Sequence, residues 1–440
     1  MGLLRSRRVL YIFLGLYAAT LILLIPGKPL WVDEIIDLGG VRDASDVSGV
    51  LAFVPGNAGG VPFGYLVDFW MIRLFGYSVF VVRLPSVVFT VWTCAGVYIL
   101  ARQTSLRWPL LAAIAYAVSP LTMRYALEAR PYAQAACWSV FSTVAFRSLI
   151  RQPTLGKAAG YAALVAAGLY TQPYSIFVSV AHLIWLLCVN EKRRAVWLPG
   201  MAVALASLAF LPWFLKSHAA WQGTVNSGVR FMVTGKDLLV IPHELMGTGF
   251  VGAAITGIAI VVALGCSSLN RGEKFFWALY AVVPLVLVPA ADAYFGYFLA
   301  ARQMIFVLVP ISVLLVACME VRWSWVVAAL LLAMVYEDVR WIRRPGEGWQ
   351  AAAAELVVNQ QKDASCTMFV PGGARTMYVF FEPQLRTCDE NTLADHGTVA
   401  LAVSSDQASS DARQKLDRAG FRKVADLRTT DPRIELYRRD

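Results

Sequence analysis

Apolar residues run along most of this chain in blocks of about the length of a membrane-crossing helix, with short polar stretches between them. Blocks at 8–26, 79–101, 108–123, 131–150, 158–171, 173–189, 196–215, 248–266, 275–291, 303–319 and 322–340 predict about eleven spans, at ~20 residues each. Those at 108–123 and 158–171 are short, as tilted or partly buried helices are. The first block ends at Pro26-Gly27-Lys28-Pro29 with no small-residue cleavage site, so it reads as a span rather than a cleavable signal. From about residue 343 the pattern turns polar and its periods shorten. A helix is expected at Gln350–Asn359, then a strand at Thr367–Val370 and a Gly-Gly turn. A helix or strand at Met377–Phe381, a strand at Thr398–Val403, a helix at Asp411–Ala419 and a strand at Ile434–Arg438 follow. The predicted fold is an α-helical polytopic membrane domain, 1–342, with a small C-terminal α/β domain, 343–440. Roughly a hundred residues bury a modest core of their own.

The first loop, 27–78, is itself patterned. Glu34–Leu51 reads as a short surface helix. Pro62–Phe75 is aromatic and aliphatic nearly all round, too short to span comfortably, and suited to lying in the membrane interface.

Composition and charge sharpen this picture. Hydrophobic residues make up 58% and charged residues 15%, against roughly 25% charged in soluble domains, which excludes a large soluble enzyme. Arg102 and Arg107, then Arg147, Arg151 and Lys157, then Lys192, Arg193 and Arg194, then Arg271 and Lys274 fall on one side with Arg5, Arg7 and Arg8. By the positive-inside rule that side is cytoplasmic, so the net charge of +10 is a topological signal and implies no nucleic-acid partner. The opposite loops hold Asp33 and Glu34, Glu128 and Arg130, residues 216–247, and residues 292–302. An odd number of spans places the tail outside. Five cysteines lie in or at the ends of spans, and Cys366 and Cys388 lie in the tail. An oxidising compartment permits a Cys366–Cys388 bridge, with two free thiols as the alternative. No CxxC or zinc-ribbon spacing occurs.

The outer loops carry the candidate chemistry. Carboxylates at a bilayer interface are costly and commonly functional. Asp33 is either a base at the rim of an apolar cavity or the N-cap of the helix that follows. Arg302 is either a phosphate ligand, through its bidentate fork, or an interfacial anchor. Arg83 reads as structural. Residues 216–247, with Lys216, His218, Lys236, His243 and Glu244, read as a mobile flap or a plain connector, and His243-Glu244 has no second histidine to make a metalloprotease motif.

Five segments in series resemble the GT-C superfamily of polyprenyl-phosphate-sugar-dependent glycosyltransferases, in its protein mannosyltransferase and aminoarabinose transferase branch. They are Asp33-Glu34; Pro62-Phe63-Gly64-Tyr65 with Leu74-Phe75-Gly76 and Arg83-Leu84-Pro85-Ser86; Glu128-Ala129-Arg130-Pro131-Tyr132-Ala133; Tyr170-Thr171-Gln172-Pro173-Tyr174; and Arg302-Gln303-Met304-Ile305-Phe306 with Pro310. The sequence departs from that pattern at Gly59-Gly60-Val61, where relatives often carry a polar or basic residue, at Gln172 in place of His, and at Gln303 in place of Tyr. The resemblance implies an inverting enzyme that moves a single sugar from a polyprenyl-phosphate carrier to an acceptor hydroxyl on a lipid, glycan or protein. It implies Asp33 as base, Glu34 and Glu128 as further catalytic acids, Arg130 and Arg302 on the donor phosphate, and Tyr65, Tyr132 and Tyr174 around the substrate. Superfamily members work with and without a metal; Glu34 and Glu128 are the residues that would hold Mg²⁺ or Mn²⁺ through oxygen. The expected home is a bacterial inner membrane, with active site and tail on the extracytoplasmic side. A flippase would show buried charges mid-span and inverted repeats. A ligase for whole glycans would lack the early Asp-Glu pair and the interfacial helix.

Overall fold

The computed structural model describes residues 6–57, 60–104, 106–189, 193–228, 230–363, 365–389, 392–404 and 406–439; Arg5, Gly59 and Lys192 lie outside them. In chain order the helices are α1 (Arg7–Leu24), α2 (Val32–Arg42), α3 (Val47–Phe53), α4 (Pro62–Phe75), α5 (Val79–Gln103), α6 (Pro109–Ala117) and α7 (Pro120–Ala126). They continue with α8 (Tyr132–Arg151), α9 (Leu155–Thr171), α10 (Ile176–Val189), α11 (Arg193–Asn226), α12 (Gly235–Met246) and α13 (Gly249–Cys266). Then come α14 (Arg271–Phe295), a 3₁₀ turn at Ala301–Val307 leading into α15 (Leu308–Cys318), and α16 (Ser324–Arg343). The chain divides into two compact units: 1–25 with 44–343, and 26–43 with 344–440.

Among the described residues, six helices are long and apolar enough to cross a membrane: Arg7–Gly27, Val79–Gln103, Val196–Asn226, Gly249–Cys266, Arg271–Phe295 and Ala301–Val321. The other stretches read as spans are helices that are shorter or more polar. The 108–123 stretch is two helices, α6 and α7. Pro120 holds the preceding Ser119 in an extended conformation (ψ 127°), which stops one helix before the next begins. Residues 216–247 are also more ordered than a loop. Helix α11 runs on to Asn226, with Trp221 buried and stacked against Phe231, and α12 opens on a capping box of Thr234 and Asp237. Asp292 lies within α14 rather than in a loop. The surface helix expected at Glu34–Leu51 is two helices, because Asp46 accepts Gly49 N–H and starts α3 afresh.

Large apolar side chains such as Tyr11, Leu16, Leu23, Trp92, Leu205 and Leu208 stand exposed on these helices, the arrangement a lipid-facing surface requires. The segment Ala301–Val321 is different: 83% of its apolar window is buried, so it is a central helix of the unit. Small residues let helices approach closely. At Gly96 of α5 a Cβ would stand 2.2 Å from Val140 Cγ1 of α8.

In the second unit, α17 (Trp349–Asp363), α18 (Arg375–Phe381) and α19 (Asp406–Arg418) accompany strands β1 (Cys366–Val370), β2 (Thr398–Val403), β3 (Phe421–Arg428) and β4 (Arg433–Arg439). The sheet order is β1-β2-β4-β3, parallel between β1 and β2 and antiparallel elsewhere. Strand β3 escapes the sequence pattern because it is an edge: apart from Phe421 its residues are largely exposed and polar, and its pairing with β4 is bulged. Cys366 and Cys388 form a disulfide, with Cα atoms 5.7 Å apart. Residues 26–43, read from sequence as part of the membrane domain, cluster with this unit.

Candidate functional site

In the first unit the Glu128–Tyr132 turn is the organising element. It links α7 to α8, and its backbone is fastened by a hydrogen bond from Arg130 N–H to the Glu128 carbonyl (2.9 Å). Ser86 of α5 donates its hydroxyl to the same carbonyl at 2.7 Å. Thus the Arg-Leu-Pro-Ser segment supports the Glu-Ala-Arg-Pro-Tyr segment directly. Arg83, one turn earlier and 1% exposed, donates to the Ile25 carbonyl at the end of α1, a structural role. Helix α4 also presses on the turn, since a Cβ at Gly64 would lie 3.1 Å from Pro131 Cβ.

Three arginines gather at this turn. Arg124 Nε donates to Glu128 Oε1 at 2.9 Å across one helical step. The Arg130 guanidinium lies 5.6 Å from the centre of the Tyr132 ring, and that of Arg302 lies 5.9 Å from the same ring and 5.3 Å from Phe298. Tyr132 in turn meets Tyr125 edge-on at 4.7 Å. Aromatic faces attract guanidinium groups and orient their planes without using up their N–H donors. Glu128 is 4% exposed, whereas the side chain of its partner Arg124 is 41% exposed, so the pair joins a buried carboxylate to a cation that reaches the surface.

The start of the central helix is held separately. Gln303 Oε1 accepts Ala300 N–H at 2.8 Å and its Nε2 donates to the Phe298 carbonyl at 3.0 Å, so this departure from the family pattern acts as a self-cap. Glu244 of α12 accepts Ala301 N–H at 3.4 Å, one residue before Arg302. Arg302 is partly buried, and the helix that follows it is largely buried in protein.

Tyr174 donates its hydroxyl to Asp292 Oδ1. Asp292 is fully buried, and its Oδ2 has no hydrogen-bond partner among the described residues. Tyr65 accepts from Asn57 Nδ2 at 3.0 Å, and Gly60 O accepts both Trp213 Nε1–H (3.1 Å) and the Ser217 hydroxyl (2.9 Å), fastening the loop before α4 to the C-terminal half of α11. Sequence reasoning missed Arg124 and Asp292. Arg124 was detectable as a cation four residues before Glu128, the spacing at which opposite charges pair on a helix. Asp292 carried no signal beyond its place near the end of a span.

In the second unit, α2 carries Asp33, Glu34 and Asp37. Its N-cap is Trp31, and the helix begins at Val32, so Asp33 is a first-turn residue and does not occupy the capping position. Glu34, fully buried, makes the capping bond, accepting Trp31 N–H at 3.3 Å. Asp33 is left half-buried, where the positive end of the helix dipole favours a carboxylate. The two acids named for a divalent ion fall in different compact units. Among the described residues no group of three or more His, Cys, Asp or Glu side chains gathers in metal-binding geometry, and Glu128 is matched by a cation instead.

Residues 62–215 match the family described as dolichyl-phosphate-mannose-protein mannosyltransferase. In structure the chain is similar to apo ArnT from Cupriavidus metallidurans, with TM-score 0.64 and 12% identity over 97% of each chain. It is also similar to the same protein bound to undecaprenyl phosphate, with TM-score 0.59 and 12% identity over 98% of each chain. No curated protein sequence matches. The structural likeness establishes the fold: a polytopic helical membrane protein with a small mixed sheet. The family match is confined to residues 62–215.

Proposed function

We propose that this protein transfers a single sugar, with inversion, from a polyprenyl phosphate to an acceptor hydroxyl at the outer face of the membrane. The observation that carries the reading is the convergence of Arg130 and Arg302 on the Tyr132 ring, beside the Arg124–Glu128 pair. The leaving group is a phosphate monoester, and its charge grows as the bond to the anomeric carbon breaks. Guanidinium groups supply strong charge-assisted hydrogen bonds to such oxygens, most effectively away from bulk water. Asp33 takes the proton of the acceptor hydroxyl, whose oxygen then attacks the anomeric carbon from the face opposite the phosphate. The transition state is oxocarbenium-like, and polyprenyl phosphate departs. Glu34 and Glu128 act by holding structure around these groups, Glu34 through the α2 cap and Glu128 through Arg124. Tyr65, Tyr132 and Tyr174 are assigned to the substrate's surroundings. Undecaprenyl phosphate is the ligand of the ArnT structure of similar fold, and a carrier of that class is proposed here. The topology proposed is about eleven spans, counting shorter helices such as α9 and α10, with the N-terminus cytoplasmic and the tail outside.

The test is purification with native lipids and mass spectrometry of what binds, followed by turnover of that donor. A polyprenyl-phosphate monosaccharide, released as polyprenyl phosphate on transfer, is the expected result. Asp33→Asn should keep donor binding and lower the rate by ~10²-fold, the scale for loss of a general base. Near-normal turnover in that variant would remove Asp33 from the mechanism. An oligosaccharide on the carrier would favour a ligase.

A further inference from the structure

The second unit contains more than the C-terminal residues: it holds α2, the helix that bears Asp33. That helix is poorly equipped to stand alone. It has eleven residues, fewer than the ~12–15 at which even good helix formers become stable in water. Its sequence includes Gly39-Gly40 and β-branched Val32, Ile35, Ile36 and Val41, and each glycine costs about 1 kcal/mol relative to alanine.

What it lacks is supplied from residues 344–381. At its N-terminus, Glu347 Oε2 accepts Val32 N–H at 3.0 Å and, on its other side, Trp349 Nε1–H at 2.6 Å. A carboxylate from the far end of the chain thus caps the first turn, one residue from Asp33. At its C-terminus, Arg42 Nη1 donates to the Phe380 carbonyl at 2.6 Å while the guanidinium lies 4.2 Å from the centre of the Phe380 ring. The lead-in is also fastened. Lys28 Nζ donates to the Arg344 carbonyl, and Gly346 packs so closely on Pro29 that a Cβ there would stand 2.5 Å from Pro29 Cδ.

We propose that the C-terminal unit is the positioning device for Asp33, with Glu347 and the Arg42–Phe380 contact as its two clamps. The proposal rests on the assignment of Asp33 as base. It accounts for the grouping of residues 26–43 with the C-terminal residues: the unit fixes the φ/ψ of a short helix that cannot fix its own. Glu347 is a positioning residue, acting through Asp33 without touching substrate.

The experiment uses the full-length protein in lipid nanodiscs. Turnover is read as polyprenyl phosphate released from lipid-linked sugars extracted from the producing membranes. Glu347→Ala should lower kcat about tenfold, the cost of losing a helix cap, with the donor KM unchanged. Glu347→Gln, which keeps a carbonyl acceptor, should recover most of that loss. Amide exchange over 32–42 should quicken in Glu347→Ala and in Arg42→Ala. The double variant Asp33→Asn/Glu347→Ala should be no slower than Asp33→Asn alone, because coupled residues are not additive. Wild-type kcat in Glu347→Ala, or a further additive loss in the double variant, overturns the proposal. If Asp33→Asn itself turns over normally, the base assignment fails. Unchanged amide exchange in both clamp variants would then separately show that the unit does not hold α2.

Discussion

The guanidinium of Arg302 lies 5.9 Å from the centre of the Tyr132 ring, which joins the start of the central helix to the Glu-Ala-Arg-Pro-Tyr turn. The ring also faces Arg130, so one aromatic side chain orients two candidate phosphate ligands. If that is its role, Tyr132→Phe keeps the π face and should bind undecaprenyl phosphate nearly as wild type. Tyr132→Leu loses it and should bind roughly 3- to 10-fold more weakly, the range of one or two cation–π contacts. Arg302→Ala should weaken binding further, and Arg302→Lys should restore only part, since an ammonium cannot reproduce the planar fork. Titration of each purified variant with undecaprenyl phosphate distinguishes these. Equal affinity throughout would remove the pair from the donor site.

Close packing of α5 on α8 sets a second expectation. Gly96 meets Val140 where no Cβ fits: the atom would stand 2.2 Å from Val140 Cγ1, and a β-branched side chain has no free rotation with which to yield. Gly96→Ala should cost about 1–3 kcal/mol, the usual penalty of overpacking. The melting temperature in detergent should drop, and Gly96→Ala/Val140→Ala should restore most of it. A single variant as stable as wild type would show that the helices separate easily.

Residues that carry their meaning locally were the readable ones. The turn at Glu128–Tyr132, helix α4 and the strand Thr398–Val403 each follow from a short run of sequence, and the structure places elements there. What was not legible depends on partners far away in the chain. Nothing in residues 26–43 says that they pack with residues 344–440, because that allegiance comes from Glu347, Phe380 and Gly346. The break between α6 and α7 was hidden by unbroken hydropathy, although Pro120 marks it. Strand β3 went unread because an edge strand has little apolar face to show. Of the site, Arg130, Arg302 and Tyr132 lie in the quoted motifs, whereas Arg124 lies outside all of them.

Orientation in the membrane supplies a third prediction. By the positive-inside rule the connection between α8 and α9 is expected inside the cell, and an odd number of spans then predicts the tail outside. With the exposed Cys188 and Cys266 replaced by serine, a cysteine at the exposed Gln384 should react with a membrane-impermeant maleimide on intact cells or spheroplasts. A cysteine at the exposed Gln152 should react only after lysis. Ser409 is 2% exposed and therefore unsuitable as a labelling position. The reverse labelling pattern would put Asp33 on the cytoplasmic side and contradict the proposed reaction.

The tail should also lose stability in acid, through Glu435. This buried carboxylate accepts Arg413 Nε and Nη2 at 3.0 and 2.6 Å and the Tyr437 hydroxyl at 3.0 Å, with Lys423 Nζ at 3.5 Å. Burial alone would raise its pKa, but the hydrogen bonds from Arg413 and Tyr437 and the nearby positive charges outweigh it, leaving the pKa below the usual glutamate range. A folded-state pKa below the unfolded one means that the unfolded chain binds the proton more readily. The stabilisation is therefore complete above the ordinary glutamate pKa, near 4.3, and disappears as pH falls through the lower folded-state value. Glu435→Gln should lower the tail's unfolding free energy at neutral pH by about 1–3 kcal/mol, the worth of hydrogen bonds to a charged group. It should also flatten the fall in melting temperature below pH 4.3. The check is hydrogen exchange of β2 and β4 in the full-length protein at a series of pH values. Equal acid sensitivity in Glu435→Gln and wild type would assign the effect to other carboxylates.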